Sequence, residues 1–450
     1  MFVLLTGVTR EAWSSSLRST FPASFPSSLS RLRSGIKRGE ELRLYCSQCT
    51  TGCDSDHMAP SSSSATLPET NPAVDESTYP TAPQPPAYLP LVKLFALDRL
   101  DAGTESPSGH KYERFRAKYA PLRPREFRVA YGGYVFGHSA YAAAKTVDKG
   151  MLIHNITGSF TAPGTGSIPF TFYVRHVREG QTYCLRAVDV RQKEEICFSC
   201  LVSFKRVESS YNFCFQPPMD IDGRYKVALQ GIKRENQPLA PSLDTPQWTE
   251  EVEKGLRPAV PFSGTDIRKV KMKRYNEMVG AKEDPTRYRQ VHFYRLFGLP
   301  GDDEEGSGYG RDDIAALRAR DEAGEFDNLH ICAHLFASDR NSLWLIAWAL
   351  NSAQRVRRIA SLSHTVVIHT HGPAMRMIDW DRLDVHPGAD GTADLGEGRG
   401  RKWFTIEART TRAGENRALH QGQIWGPDGT LVATTVQDGL LRVWDDGVKL

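Results

Sequence analysis

At 450 residues, with 40% hydrophobic and 24% charged side chains, the chain is long enough for two or three globular domains and has the composition of a folded, soluble-type protein. Its 57 basic and 53 acidic residues leave a formal charge of only +4 and are mostly interspersed, so there is no electrostatic footprint for a nucleic-acid partner. The longest strongly apolar interior run, 343–350, falls far short of the roughly 20 residues that cross a bilayer, and no membrane span is expected.

The first 88 residues differ from all that follows. Residues 1–38 are rich in Ser, Arg and Lys with Glu11 as their single acid, the composition of an organelle transit peptide and equally of a disordered leader. Residues 54–90 are dominated by Ser, Pro, Thr and Ala, with Pro80, Pro83, Pro85 and Pro86 crowded near the end, which reads as a linker. The Cys46, Cys49, Cys53 and His57 cluster superficially supplies four zinc ligands. A structural site normally joins two knuckles across an intervening hairpin or helix, whereas here the second pair follows at once, so ordinary thiols are expected and no metal. Eight scattered cysteines fit a reducing compartment better than a disulfide scaffold.

Over 89–207 the periodicity becomes regular. Gly132 and Gly133 open a helix of small residues through Lys145, suited to lying tightly against a sheet. Strands follow over 151–160, 169–177, 182–190 and 196–204, separated by turn signals at Pro163-Gly164, Glu179-Gly180 and Lys193-Glu194. Cys197 and Cys200 lie in the last strand on opposite faces and read as core residues. Gly137-His138-Ser139-Ala140-Tyr141 lacks the closing glycine of a nucleophile elbow, and no Gly-x-Ser-x-Gly occurs, which argues against an α/β serine hydrolase.

Residues 208–260, with six scattered prolines from Pro217 to Pro258, read as a mostly irregular connector. A second unit over 261–450 begins with the basic run 268–274, whose alternation predicts an exposed strand. An acidic loop around Asp302-Asp303-Glu304-Glu305 reads as an insertion near 301–325. The Gly306-Ser307-Gly308-Tyr309-Gly310 run within it has no preceding strand and is no dinucleotide fingerprint. His330 and His334 are a helical i, i+4 pair without the glutamate of a zinc protease. A helix is predicted over 339–352, then strands over 361–369, 402–410, 419–425 and 430–443, the last pair joined by Gly426-Pro427-Asp428-Gly429. One helix followed by an antiparallel sheet, twice, predicts two copies of one unit.

This pattern resembles the acyl-CoA thioesterase II family, the double-hotdog thioesterases of bacteria and peroxisomes. The resemblance rests on Tyr131-Gly132-Gly133-Tyr134-Val135-Phe136-Gly137-His138, on His154, Phe160 and Pro163-Gly164, and on Val177-Arg178-Glu179-Gly180 with Arg186. In the second unit it rests on Ala337-Ser338-Asp339, Ser361-Leu362-Ser363-His364 and the run 432–439. It implies an α+β double hotdog, two helix-wrapped antiparallel sheets in one chain, behind a disordered N-terminal extension. It also implies hydrolysis of fatty acyl-CoA to free acid and CoA without metal or redox cofactor, and is compatible with a homo-oligomer. The family's catalytic trio falls on Asp339, Ser361 and Gln437, which there orient the attacking water. Tyr134 stands where bacterial relatives commonly have Gln.

The chemistry is coherent with those residue types. A thiol leaving group needs little general-acid help, since its pKa is near 8.5, so what the site must supply is an oriented nucleophile. Asp339 at a helix start is expected to have a depressed pKa, making it a weak base and a firm orienter. Ser361 and Gln437 add hydrogen bonds to the water. Gly132, Gly133 and Tyr134 are candidates for the oxyanion or substrate contacts, and His154 and His364 for structural bracing of strands. Taken singly, Asp339 would be a helix cap and the others ordinary polar strand residues. The competing functions are a non-catalytic acyl-CoA-binding module and a thioesterase dedicated to a secondary-metabolite pathway. The basic run 268–274 would attract CoA phosphates or simply be a solvated face. Val448-Lys449-Leu450 resembles a peroxisomal address, with mitochondrion or cytoplasm as alternatives.

Overall fold

The protein is described from a computed structural model, over residues 89–105, 111–124, 128–208, 213–256, 262–301, 311–383, 386–387, 393–394 and 400–444. The N-terminal 88 residues, the Cys46 to His57 cluster, the acidic run 302–305, the glycine run 306–310 and the terminal tripeptide lie outside the described residues.

The strands in chain order are β1 (Leu97–Glu105), β2 (Lys111–Ala117), β3 (Met151–Phe160), β4 (Thr171–Arg178), β5 (Tyr183–Gln192), β6 (Glu195–Arg206), β7 (Thr265–Lys269), β8 (Gln290–Leu296), β9 (Val356–Ile368), β10 (His386–Pro387), β11 (Ala393–Asp394), β12 (Phe404–Gly414), β13 (Arg417–Trp425) and β14 (Leu431–Val443). Twelve of them form one antiparallel sheet in the order β1-β2-β4-β5-β6-β3-β9-β14-β13-β12-β8-β7, while β10 and β11 pair separately. Read from its two ends, the sheet repeats one order twice: β1 answers to β7, β2 to β8, β4 to β12, β5 to β13, β6 to β14 and β3 to β9. The halves meet where Asn155 to Ser159 of β3 pair with Val367 to Ser363 of β9, and Thr365 Oγ1 donates to Thr157 Oγ1 across that seam at 3.2 Å. No sheet edge is exposed between the two halves, because the seam is itself a ladder of five residue pairs.

The helices are α1 (Leu91–Leu94), α2 (Gly132–Ala144), α3 (Ile221–Arg224), α4 (Lys226–Leu229), α5 (Pro246–Glu253), α6 (Lys273–Met278), α7 (Arg311–Glu322), α8 (Asp327–Ser338) and α9 (Ser342–Ala349). The small residues of α2 let it lie against β3–β6 on one side and α8 on the other. A Cβ at Gly133 would come within 2.5 Å of the Phe336 carbonyl oxygen, so only glycine permits this approach of the two helices. Alternation along β5, where every second residue from Cys184 is buried, gives the sheet its helix-facing side.

Three expectations need correction. The helix expected over 339–352 is two helices, because α8 ends at Ser338 and Asn341 adopts a left-handed conformation, φ 54°, before α9 begins. Asn tolerates that region where most residues do not, and the polar Asp339-Arg340-Asn341 run interrupts two apolar helices. The connector is mostly irregular, as expected, but carries the short helices α3, α4 and α5, the last starting with Pro246 at its first position and Thr245 as cap. Ile221, Tyr225 and Leu229 then form a second core with Val270, Met272, Val291, Phe293 and Trp425. The basic run is not one exposed strand, since β7 stops at Lys269, Val270 and Met272 are buried, and α6 starts at Lys273. Within the span expected as a loop insertion, Arg311–Glu322 is a helix.

Candidate active site

Asp339, Ser361 and Gln437 come from three separate elements and meet at one point. Gln437 Nε2 donates to Asp339 Oδ1 at 2.5 Å and to Ser361 Oγ at 2.7 Å. Strand register accounts for this convergence. Gln437 of β14 pairs with His364 of β9, and an irregularity between Asp438 and Gly439 sets Ser361 opposite Gly439, which brings Ser361 to the same face as Gln437. Asp339 reaches that face from the turn between α8 and α9, where Ser342 Oγ also donates to Asp339 Oδ1 at 3.3 Å.

The carboxylate is seated by the other half of the protein. The N–H of Gly133, in the first turn of α2, donates to Asp339. A Cβ at Gly132 would stand 2.7 Å from Asp339 Oδ2. Asp339 thus caps a helix, as its residue type suggests, but the helix is α2 and not its own. The expected depression of its pKa is overturned: burial pushes Asp339 up to about 6, against the lowering effect of the Gln437, Gly133 and Ser342 hydrogen bonds and the Arg340 charge. Its position just past the C-terminal end of α8, where carbonyl dipoles point at it, works in the same direction.

The supporting shell was mostly invisible in the sequence. Arg340 and Asn341 both donate to the Pro241 carbonyl oxygen, at 2.8 and 3.1 Å, so the connector holds the turn that presents Asp339. The Arg340 guanidinium lies 3.8 Å from the Phe262 ring centroid, and Phe262 and Phe336 each stack edge-on against Tyr131, whose hydroxyl donates to the Phe336 carbonyl at 2.7 Å. Proline and aromatic side chains distant in sequence carry no local pattern that would mark them as a brace.

Other candidates fall differently. Gly132 and Gly133 are beside the trio, but the Gly133 N–H is engaged by Asp339 and is not free for an oxyanion. Tyr134 is fully buried, packed against Phe95, His138 and Phe170. His364 is fully buried and bonds Ser338 Oγ at 3.1 Å, tying β9 to α8, and it also hydrogen-bonds Gln437 on the neighbouring β14. Burial pushes its pKa down to about 3, leaving a neutral ring. His154 Nε2 lies 2.8 Å from Ser203 Oγ on the adjacent β6. Among the basic residues, Arg268 pairs with Asp266 and Lys269 with Asp244. His330 pairs with Asp321, and His334 lies between the Tyr294 hydroxyl and the Met375 carbonyl. Among the described residues, no cluster of His, Cys, Asp or Glu could hold a metal ion, and no helix is long and apolar enough to cross a membrane.

Comparison with known proteins matches residues 123–205 to the family model of the acyl-CoA thioesterase N-terminal domain and residues 277–441 to that of the C-terminal domain. Acyl-coenzyme A thioesterase 8 of Mus musculus is 24% identical over 337 residues, covering 73% of this chain and 84% of its own. Acyl-CoA thioesterase 2 of Haemophilus influenzae is 22% identical over 325 residues, covering 70% and 88%. Among solved structures, the acyl-CoA thioesterase II TesB2 of Mycobacterium marinum aligns with a TM-score of 0.48 and 21% identity, covering 80% of this chain and 99% of that one. With both family models matched in order along one chain, and together spanning more than half of it, the protein belongs to the acyl-CoA thioesterase II family and carries its two hotdog units in a single polypeptide.

Proposed function

We propose that the protein hydrolyses acyl-CoA to the free acid and CoA, using a water molecule held by Asp339, Ser361 and Gln437. The observation that carries this reading is the convergence of an acid, a hydroxyl and a carboxamide within hydrogen-bond distance of one another in a buried place. Both N–H groups of Gln437 point to Asp339 and Ser361, and the same carboxamide is hydrogen-bonded by His364, which fixes its orientation. Ser361 accepts from Gln437, which leaves its own O–H to donate toward the water or the thioester oxygen. Asp339, with a pKa of about 6, is ionised at neutral pH yet basic enough to take a proton as the water attacks, a better match than an ordinary aspartate. The thiolate then leaves from the tetrahedral intermediate without a strong acid, because its pKa is low.

The test separates a thioesterase from a binding module. Asp339→Ala is expected to lower kcat by about 10³-fold while leaving the affinity for a non-hydrolysable acyl-CoA thioether within about threefold. If wild-type protein binds the thioether and releases no thiol from any acyl-CoA, the binding-module reading replaces this one. A peroxisomal location, the expectation raised by Val448-Lys449-Leu450, is checked by imaging the tagged protein with either end masked.

A further inference from the structure

Beyond Pro241, the connector grips the second unit at further points, and their arrangement shows what it holds. Residues 238–240 lie along β7, the outermost strand at that end of the sheet. Leu239 bridges Arg268 in antiparallel fashion, the Ala240 N–H donates to the Ile267 carbonyl at 2.9 Å, and the Lys269 N–H donates to the Pro238 carbonyl at 2.8 Å. From this anchorage the chain passes to α9 and holds it at both ends. The Pro241 carbonyl takes the Arg340 and Asn341 side chains just ahead of the helix, and the Asp244 carbonyl accepts from Trp348 Nε1, in its last turn, at 2.9 Å. The Asp244 side chain is buried, and its carboxylate meets Lys269 Nζ at 2.6 and 2.7 Å. That ammonium in turn lies 5.8 Å from the Trp348 ring centroid.

Asp244 thus joins the connector, β7 and α9 at one point. A buried ion pair adds little net stability over apolar packing, and its best-attested use is to fix one arrangement among several. We propose that Asp244, Lys269 and Trp348 are positioning residues for the hydrolysis, a latch that sets α9 against the sheet edge so that the Asp339 carboxylate stays aimed at Gln437 and Ser361. The inference rests on the hydrolysis reading above and adds to it residues that lie outside the trio's motifs. The latch has a direct route to the acid, because Asp339 leads into α9: the N–H and Oγ of Ser342, the first residue of the helix, both donate to the Asp339 carbonyl oxygen, at 3.4 and 3.2 Å. A rotation or slide of α9 therefore carries the carboxylate with it. Gln437 and Ser361 stand on β14 and β9, away from these contacts, so loosening the latch moves one member of the trio against the other two. A site that works by orienting a water is sensitive to that, since a misplacement of about 1 Å can cost about 10²-fold in rate.

The test uses the full-length protein, with thiol release for kcat and titration of a non-hydrolysable acyl-CoA thioether for affinity. Trp348→Phe removes the N–H and keeps an aromatic ring, and Lys269→Met removes the charge that holds Asp244. Each is expected to lower kcat by about tenfold or more while affinity for the thioether stays within about threefold. Lys269→Arg, which can still pair with Asp244, is expected to recover most of kcat. In an Asp339→Ala background the same substitutions should change the residual rate by less than about twofold, because a latch acts only through the carboxylate. Trp348→Phe decides alone if circular dichroism shows that Lys269→Met has not folded. An unchanged kcat in Trp348→Phe, or an equal loss with and without Asp339, overturns the proposal while hydrolysis stands. Absence of turnover by the wild type with every thioester overturns the hydrolysis reading and this one with it.

Discussion

The two halves of the sheet share a strand order and differ in what their helix-facing surfaces carry. In the first half that surface is built mainly from Phe172, Val174, Val188, Val190, Phe198 and Val202, all fully buried, with Glu113 and Arg186 as buried charged groups toward its outer strands and ends. In the second it carries His292, His420, Thr435, Gln437 and His364, buried as completely. The comparison teaches where each half concentrates its buried polar groups: in the first they are paired, Arg186 with Thr146 and Glu179 and Glu113 with His176, while in the second they gather around Asp339. Such groups cost stability unless they are paired, so their gathering marks where function has been accommodated.

Making the second half more like the first should have the largest effect. Gln437→Met keeps the volume and removes both N–H donors, and kcat is expected to fall by about 10²- to 10³-fold with the thioether still bound, measured by thiol release and calorimetric titration. Next is the seat supplied by the first half: Gly132→Ala puts a methyl against Asp339 Oδ2, and about a tenfold to hundredfold loss in kcat is expected with an unchanged melting profile. The reverse conversion, Val202→Gln, inserts a carboxamide into a surface that offers it nothing, and urea titration should show a loss of about 2 kcal/mol.

Asp339 sharpens the comparison through pH. Its carboxyl sits at about 6 in the folded protein against an ordinary value of 3.8, so the folded state binds its proton more tightly than the unfolded chain does. The resulting penalty is absent below about pH 4, grows between 4 and 6, and is constant above. Asp339→Asn is therefore expected to raise stability by about 3 kcal/mol at pH 7.5 and by less than about 1 kcal/mol at pH 4, in parallel urea titrations. The smallest effect is on the wild type itself, whose kcat/KM should rise with pH and reach half its plateau near pH 6. A half-point near 4 would mean that Asp339 is not the group whose ionisation the reaction needs.

Much of this was legible in the chain. The strands over 151–160 and 430–443 appear almost where β-branched and aromatic content and turn residues put them. The trio was found by its motifs, and its convergence depends on register, which no local pattern states. The break at Asn341 was missed because Leu343, Trp344, Ala347 and Trp348 continue a helical spacing that masks a left-handed residue before them. The pKa of Asp339 was misjudged for a related reason. A helix start was read from sequence neighbours, whereas the N-terminus that meets the carboxylate belongs to α2, more than 200 positions earlier, and burial outweighs it. The prolines at 241 and 246 suggested only an irregular connector, although Pro241 offers the carbonyl that anchors Arg340 and Asn341.

The reach of Asp339 across to Gly132 and Gly133 bears on how such a chain can have arisen and how it can be divided. A gene fragment encoding the second repeat alone would inherit the acid, the hydroxyl and the amide but not the helix end that aims them. Mutational drift in the first repeat is therefore restrained by a reaction whose proposed side chains lie entirely in the second, and splitting the polypeptide at the connector would yield two inert pieces whose reassembly is itself the switch.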